Sequence, residues 1–317
     1  MKIKDYWYTI SIVILVILGY NFPETFSSFL GIKLNTFIKP VLQIIMLGMG
    51  ATMTVQDFVE ILKSPKKVFI GLFAQFTIMP FLGFFLSRSF DFPPEIAAGV
   101  VLIGCSPSGL ASNVMALMAK ANVALSITIT SMATLLAPLL TPLLMKVLGG
   151  ELIEIDFLNM LWDMSQLVLI PIIFGLLLNK LFPEFVRKII KILPVFSMAG
   201  IAYIILVVTA SGAASLRTVG LVLVLVVFIH NIFGYILGYF SAKLFRLAET
   251  DARAVAIEVG MQNGGLASAL ANEMGKIATV GLAPAIFGPL MNVTGSMLQI
   301  NGSKNELRRK LEMKFLN

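Results

Sequence analysis

Apolar runs long enough to cross a bilayer recur from Tyr6 to Ile300, and this one feature excludes soluble architectures for the chain. A hydrocarbon core of about 30 Å takes roughly 20 helical residues per crossing, and every backbone polar group within it must be satisfied internally. Composition agrees: 58% hydrophobic against 13% charged residues, with a mean hydropathy of +0.92, leaves too little polar surface to clothe a soluble globule of 317 residues. The reading is an all-α polytopic membrane protein, a single membrane domain over 1–317 with a basic tail at 301–317. The run Tyr8 to Tyr20 lacks a small-residue cleavage site and another run follows at Leu34 to Gly48, so it reads as a first span rather than a signal peptide.

Punctuation by Pro, Gly and charge gives ten spans, approximately 5–22, 34–52, 65–87, 94–119, 122–147, 157–181, 184–210, 216–245, 250–274 and 276–300. The stretch Val55 to Lys63 is too charged to cross and reads as an interfacial helix. With ten spans both termini share a side, and the 24 Lys and Arg divide between the two sides 18 to 6 in favour of that side. Because basic residues crowd cytoplasmic loops, both termini are expected in the cytoplasm and the chain in the cell's inner membrane. The same bias accounts for the net charge of +7 as topology plus attraction to anionic lipid, not as a nucleic-acid surface. The single cysteine, Cys105, precludes an intrachain disulfide.

The sequence also echoes itself. Phe22-Pro23-Glu24 recurs as Phe182-Pro183-Glu184, Lys39-Pro40-Val41 more loosely as Leu193-Pro194-Val195, and Gly109-Leu110-Ala111-Ser112 as Gly265-Leu266-Ala267-Ser268, 156 positions on. Halves of five spans, about 1–150 and 151–300, must insert with opposite orientation, giving the inverted repeat suited to alternating access.

Two spans are interrupted at their middles, the fourth by Gly104-Cys105-Ser106-Pro107-Ser108-Gly109 and the ninth by Gly260-Met261-Gln262-Asn263-Gly264-Gly265. Irregular backbone at that depth is tolerated only where it lines a cavity or is buried in protein. A broken helix offers free carbonyls to a cation and free N–H groups to an anion a few ångströms apart. A Gly/Pro kink used for packing is the ordinary alternative, and its occurrence at matched places in both halves weighs against that.

Glu258 lies just before the second break, deep in a span, where a carboxylate is costly and usually functional. Ser112 and Asn113 follow the first break, and Ser126 and Thr130, spaced i, i+4, share one helix face. Their oxygens suit a hard monovalent cation, although the Ser/Thr pair taken alone would be ordinary interhelical bonding. Gln75 and Gln262 are further amides that could serve as ligands or as helix glue. His230 beside Asn231 reads as a packing residue sooner than as a proton relay.

At these residues the sequence resembles the bile acid:sodium symporter family over essentially its whole length. The specific strings are Ala111-Ser112-Asn113, Leu125-Ser126 with Thr130, Gln75 before Met79-Pro80, and Glu258-Val259-Gly260-Met261-Gln262-Asn263. The resemblance implies a panel bundle beside a core bundle with two crossing broken helices. It also implies two Na+ sites, one from Ser112, Asn113, Ser126, Thr130 and Glu258, the other from Gln75, Glu258 and Gln262 with the carbonyls of Val259 and Met261. Glu258 would bridge them. Where bile-acid-carrying relatives read Pro-Gly-Gly-Thr, this chain reads Pro107-Ser108-Gly109-Leu110, which moves the expectation from bile acid itself toward pantoate, ketopantoate or a pyruvate-like acid, with a bile-acid-like carboxylate as the remaining option. Its carboxylate would sit by the N–H groups of Ser108, Gly109, Leu110, Gly264 and Gly265, with Asn263 and Asn292 as polar contacts.

The expected function is therefore sodium-coupled symport of a small organic anion, not enzymatic catalysis, with Na+ as coupling ion, no prosthetic group and lipid as surroundings. Proton coupling or efflux by the same fold is the nearest alternative. An intramembrane serine protease built on Ser108 and His230 is the alternative from another class.

Overall fold

The computed structural model describes residues 7–53, 63–190 and 192–296, with side chains from residue 10 onward. All but the last residue of the expected interfacial helix Val55 to Lys63, together with Lys191 and the basic tail 301–317, lie outside the described residues.

The chain is helical almost throughout. The first half runs α1 Trp7–Asn21, a short α2 Pro23–Ser27, a hairpin of β1 Ser28–Phe29 and β2 Ile32–Lys33, then α3 Ile38–Thr52, α4 Pro65–Ser89, α5 Pro94–Cys105, α6 Ala111–Met118 and α7 Val123–Leu144. The second runs α8 Phe157–Met164, α9 Ile170–Leu181, α10 Pro183–Ile189, α11 Leu193–Ser211, α12 Ala213–Leu244, α13 Glu249–Gly260 and α14 Gly264–Glu273, followed by α15 over 282–296. Six helical stretches are long and apolar enough to cross a membrane, Leu34–Thr52, Pro65–Ser89, Val123–Gly149, Phe157–Leu181, Leu193–Ser211 and Ala213–Leu244, and Ile10–Asn21 and Pro94–Cys105 are shorter apolar helices. This is a polytopic all-α membrane fold.

Three local features differ from the sequence reading. The stretch expected to open the seventh span at 184 is a separate helix, α10, and the span proper starts at Leu193. Both α7 and α8 continue into single π turns, Met145–Gly149 and Ser165–Leu169, so 157–181 is one rod wound loosely at its middle. A tight hairpin follows α2, its turn residues Leu30 and Gly31 both at positive φ, as a two-residue hairpin turn requires.

The helices pack in two groups. In the first, α1 lies on α11 and α3 on α9, with α3 and α11 joining the pairs. Backbones touch at α3 and α9: a Cβ on Gly50 would sit 2.3 Å from the Ile172 carbonyl oxygen, and one on Gly175 would sit 2.2 Å from that of Leu47. Small residues give helices in lipid this close approach. In the second group α4 packs on α5, α7, α12 and α13, while α12 packs along α13. Helix α14 meets α3 and α11 of the first group, α5 of the second, and α8.

Candidate functional site

Both breaks arise where sequence chemistry forbids a continuous helix. Pro107 lacks an N–H and disfavours the helical region for the residue before it, and Ser106 is accordingly extended at φ −78°, ψ 152°. In the ninth span Met261 is extended at φ −111°, ψ 114°. The helix restarts behind Asn263, whose side chain accepts the Leu266 N–H at 3.0 Å as an N-cap. The breaks meet: Ser108 and Gln262 form an antiparallel backbone bridge, and the Asn263 N–H donates to the Pro107 carbonyl at 2.8 Å. Each break thus satisfies part of the other's exposed backbone, which bilayer depth demands.

Around this crossing the residues of the first expected cation group converge. The Glu258 carboxylate is fully buried and accepts hydrogen bonds from Ser126 Oγ at 2.5 Å, Ser108 Oγ at 2.6 Å and Thr130 Oγ1 at 2.7 Å. Asn113 Oδ1 lies 3.0 Å from Ser126 Oγ and 3.1 Å from Thr130 Oγ1, and Ser112 Oγ lies 3.2 Å from Thr130 Oγ1. Five residues from α6, α7 and α13 therefore present carboxylate, amide and hydroxyl oxygens to one another, with Ser112, Ser126, Thr130 and Glu258 buried and Asn113 half-buried. Such a donor set fits a small hard cation, which binds oxygen and needs charge compensation once dehydrated.

The second group closes on itself. Gln75 Nε2 donates to Gln262 Oε1 at 2.8 Å and to the Ser106 carbonyl at 2.9 Å, while Gln262 Nε2 donates to the Val259 carbonyl at 2.7 Å. Among the described residues, Glu258 accepts from Ser126 and Thr130 of the first group and from Ser108, and its tie to Gln75 and Gln262 runs through the chain at Val259. Val259 and Met261 are buried beside the crossing.

The residues expected to hold an anion are less gathered. Gly109 is buried, Leu110 is exposed at 38%, Gly264 is buried and Gly265 is half-buried. Asn263 spends its side-chain oxygen on capping α14, and Asn292 Nδ2 bonds the Gly288 carbonyl of its own helix at 3.0 Å. The Ser108 hydroxyl faces Glu258 and thus the cation group.

His230 Nε2 lies 3.0 Å from the Met79 carbonyl, and its ring packs against Phe287 and the glycines Gly83 and Gly104. Ser108 bonds Glu258 and His230 bonds Met79, so the two do not form a nucleophile and base pair.

Sequence reasoning missed the polar chain beside the second break. Asn231 Nδ2 donates to the Gly260 carbonyl at 2.8 Å, and Thr294 Oγ1 donates to Asn231 Oδ1 at 2.5 Å. The signal was available in position: Asn231 stands 156 places after Gln75, the offset of the Gly-Leu-Ala-Ser repeat.

A multi-pass helical membrane protein whose two broken helices meet over a buried oxygen cluster belongs, by fold and site, to the class of membrane transport proteins. The chain belongs to the Sodium Bile acid symporter family, whose pattern matches residues 39–219. It is similar to the "Uncharacterized sodium-dependent transporter YocS" of Bacillus subtilis, 39% identical over 96% of this chain and 94% of that protein. It is also similar to the "Probable sodium/metabolite cotransporter BASS1, chloroplastic" of Arabidopsis thaliana, 34% identical over 81% of this chain, and the match spans 64% of that longer protein.

Proposed function

We propose that the protein is a sodium-coupled symporter of a small organic anion, working by alternating access across the cell's inner membrane with both termini in the cytoplasm. The observation that carries this reading is the convergence of Ser112, Asn113, Ser126 and Thr130 on the buried Glu258 at the crossing of two broken helices. The names of its relatives, a sodium-dependent transporter and a sodium/metabolite cotransporter, support it.

In the proposed cycle one Na+ enters among Glu258, Ser112, Asn113, Ser126 and Thr130 and replaces their mutual hydrogen bonds by ion contacts. A second Na+ enters by Gln75 and Gln262, with Glu258 and the carbonyls of Val259 and Met261 completing its shell. With the carboxylate neutralised, the crossing is fixed, and N–H groups of Gly109, Leu110, Gly264 and Gly265 receive the substrate carboxylate, assisted by Asn263 and Asn292. The two helix groups then rock past one another. Two Na+ with one monoanion move one net charge, worth about 2.3 kcal/mol per 100 mV.

The ten-span inverted repeat is part of this proposal and has local support. Phe22 and Phe182, at the matched Phe-Pro-Glu sites, have φ, ψ of −122°, 56° and −132°, 56°, each starting a short helix at the following proline. The packing of α1 on α11 and α3 on α9 is what exchange of halves would produce.

Uptake of radiolabelled pantoate or pyruvate into proteoliposomes, with inward Na+ or choline gradients, tests the reading. Sodium-stimulated uptake that disappears in Glu258→Gln is expected, and undiminished uptake by that variant refutes it. Uptake that follows a pH gradient and ignores sodium would favour proton coupling.

A further inference from the structure

Resting on the sodium reading above, we infer that Ser108 is an additional ligand residue of the first cation site and the link through which that site communicates with the anion cradle. Three observations carry this. Ser108 is fully buried and its Oγ donates to Glu258 Oε2 at 2.6 Å, the same carboxylate oxygen that accepts from Thr130 at 2.7 Å. Its backbone is locked in the bridge to Gln262, so the hydroxyl is presented by a fixed piece of chain instead of a free rotor on a loop. The next two residues, Gly109 and Leu110, open the half-helix α6, and the Gly109 carbonyl accepts both the Ser112 hydroxyl at 2.8 Å and the Ser112 N–H at 3.0 Å.

The chemistry follows from the hydroxyl's two capacities. It donates its proton to the carboxylate, and its lone pairs remain to face a cation held by the same carboxylate. Ser126 and Thr130 do the same from α7, so Glu258 is gripped from two sides, by one rigid helix and by the break itself. The α7 hydroxyls have no covalent path to the N–H groups of the first break. Ser108 has: any shift of Glu258 toward an entering Na+ pulls on the residue that precedes Gly109. Ion occupancy thereby sets the positions of the N–H groups offered to a carboxylate.

Other polar groups at the crossing do not have this placement. Thr141 Oγ1 bonds the Cys105 carbonyl at 2.8 Å and Ser106 Oγ the Leu102 carbonyl at 2.9 Å, both closing backbone and neither reaching Glu258.

Purified protein in detergent, titrated with NaCl against choline chloride at constant ionic strength and followed by thermal unfolding, tests the inference. A ligand that binds only the folded protein stabilises it by RT ln(1 + L/Kd), with L the free ligand concentration, so the dependence of melting temperature on NaCl reports its dissociation constant. Removing one hydrogen bond to a charged group corresponds to roughly tenfold in affinity. Ser108→Ala is therefore expected to raise the apparent Na+ dissociation constant about tenfold, on top of a lower melting temperature in choline, because the buried Glu258 carboxylate loses a donor. Ser108→Thr, which keeps the hydroxyl, is expected to stay near wild type, and so is Thr141→Val, which removes a hydroxyl at the same break. A Ser108→Ala protein that binds Na+ as wild type does overturns the inference. So does equal weakening in Thr141→Val, or a Ser108→Thr protein as weak as Ser108→Ala. A wild-type protein with no sodium-dependent shift instead overturns the sodium reading itself, so the two failures are distinguishable.

Discussion

Glu95 and Asp251, 156 positions apart, do the same work at the two ends of the broken-helix pair. Glu95 opens α5 and is bound by Lys276 and by Thr279 Oγ1 at 2.6 Å, both from the loop after α14. Asp251 opens α13 and is bound by Asn122 Nδ2 at 2.7 Å, from the loop after α6, and by Lys67 Nζ at 2.7 Å. Each half therefore ties the start of its own broken helix to the end of the other's. The burial differs: Asp251 has a side-chain exposure of 3%, Glu95 of 38%. Stripping a partner from a buried charge costs far more than from an exposed one. Lys67→Ala, which leaves Asp251 buried without its cation, is expected to destabilise the protein by about 2–4 kcal/mol, and Lys276→Ala, which bares the part-exposed Glu95, by under about 1 kcal/mol. Thermal unfolding in detergent ranks the two, and equal shifts would contradict the assignment.

At the offset that relates these carboxylates, the oxygen cluster around Glu258 has no second copy. The counterparts of Glu258, Asn113, Ser126 and Thr130 are Leu102, Ala269, Leu282 and Ile286, and only Ser112 keeps its type, as Ser268. Much of the candidate site was thus legible. Glu258 is conspicuous because a carboxylate in an apolar run has few structural excuses, and Pro107 and the paired glycines mark the breaks. The contact of the Ser108 hydroxyl with Glu258 was not legible, because sequence locates a hydroxyl on a break without saying which way it faces. The π turns and the hairpin escaped for a related reason: the apolar pattern of 157–181 is the same whether Ser165–Leu169 winds as α or π, and the Leu30-Gly31 turn depends on backbone angles that residue type only permits.

His230 is expected to be dispensable for coupling. Its Nε2 reaches only the Met79 carbonyl, in an apolar surround where a cation would lack a partner. His230→Gln can retain a donor to that carbonyl, so its sodium-stimulated uptake should follow the wild-type pH profile. Leaving the carbonyl unpaired and a void behind, His230→Ala should cost about 2–4 kcal/mol of stability. A shifted pH profile in His230→Gln would restore the proton-relay reading.

The Gly50 and Gly175 contacts predict a steric failure in the first helix group. At both positions the atom facing a new Cβ is a backbone oxygen, which cannot turn aside as a side chain can. Gly175→Ala is expected to separate α3 from α9 and cost at least about 1–3 kcal/mol, the range for overpacked cores. Gly220 has only Leu216 side-chain atoms at 3.7 Å, so Gly220→Ala should be harmless or mildly stabilising within its helix. Comparing melting temperatures and size-exclusion profiles of the two variants checks the claim, and a fully native Gly175→Ala would refute the close approach.

Leu110 separates the anion question from the sodium question. It stands at the N-cap of α6, makes no side-chain capping bond and is 38% exposed, whereas Asn263 at the corresponding end of α14 caps its helix. An apolar residue there leaves first-turn N–H groups to an incoming carboxylate. A threonine would supply an internal acceptor that competes for them, a cap being worth about 1 kcal/mol. Leu110→Thr should therefore raise the half-saturating concentration of a transported acid about fivefold, the equivalent of that capping energy, while sodium titrations in the absence of acid stay at wild type. Uptake kinetics at saturating Na+ measure the first effect and thermal shift the second. If both move together, Leu110 acts on the whole crossing rather than on the anion cradle; if neither moves, the carboxylate binds elsewhere.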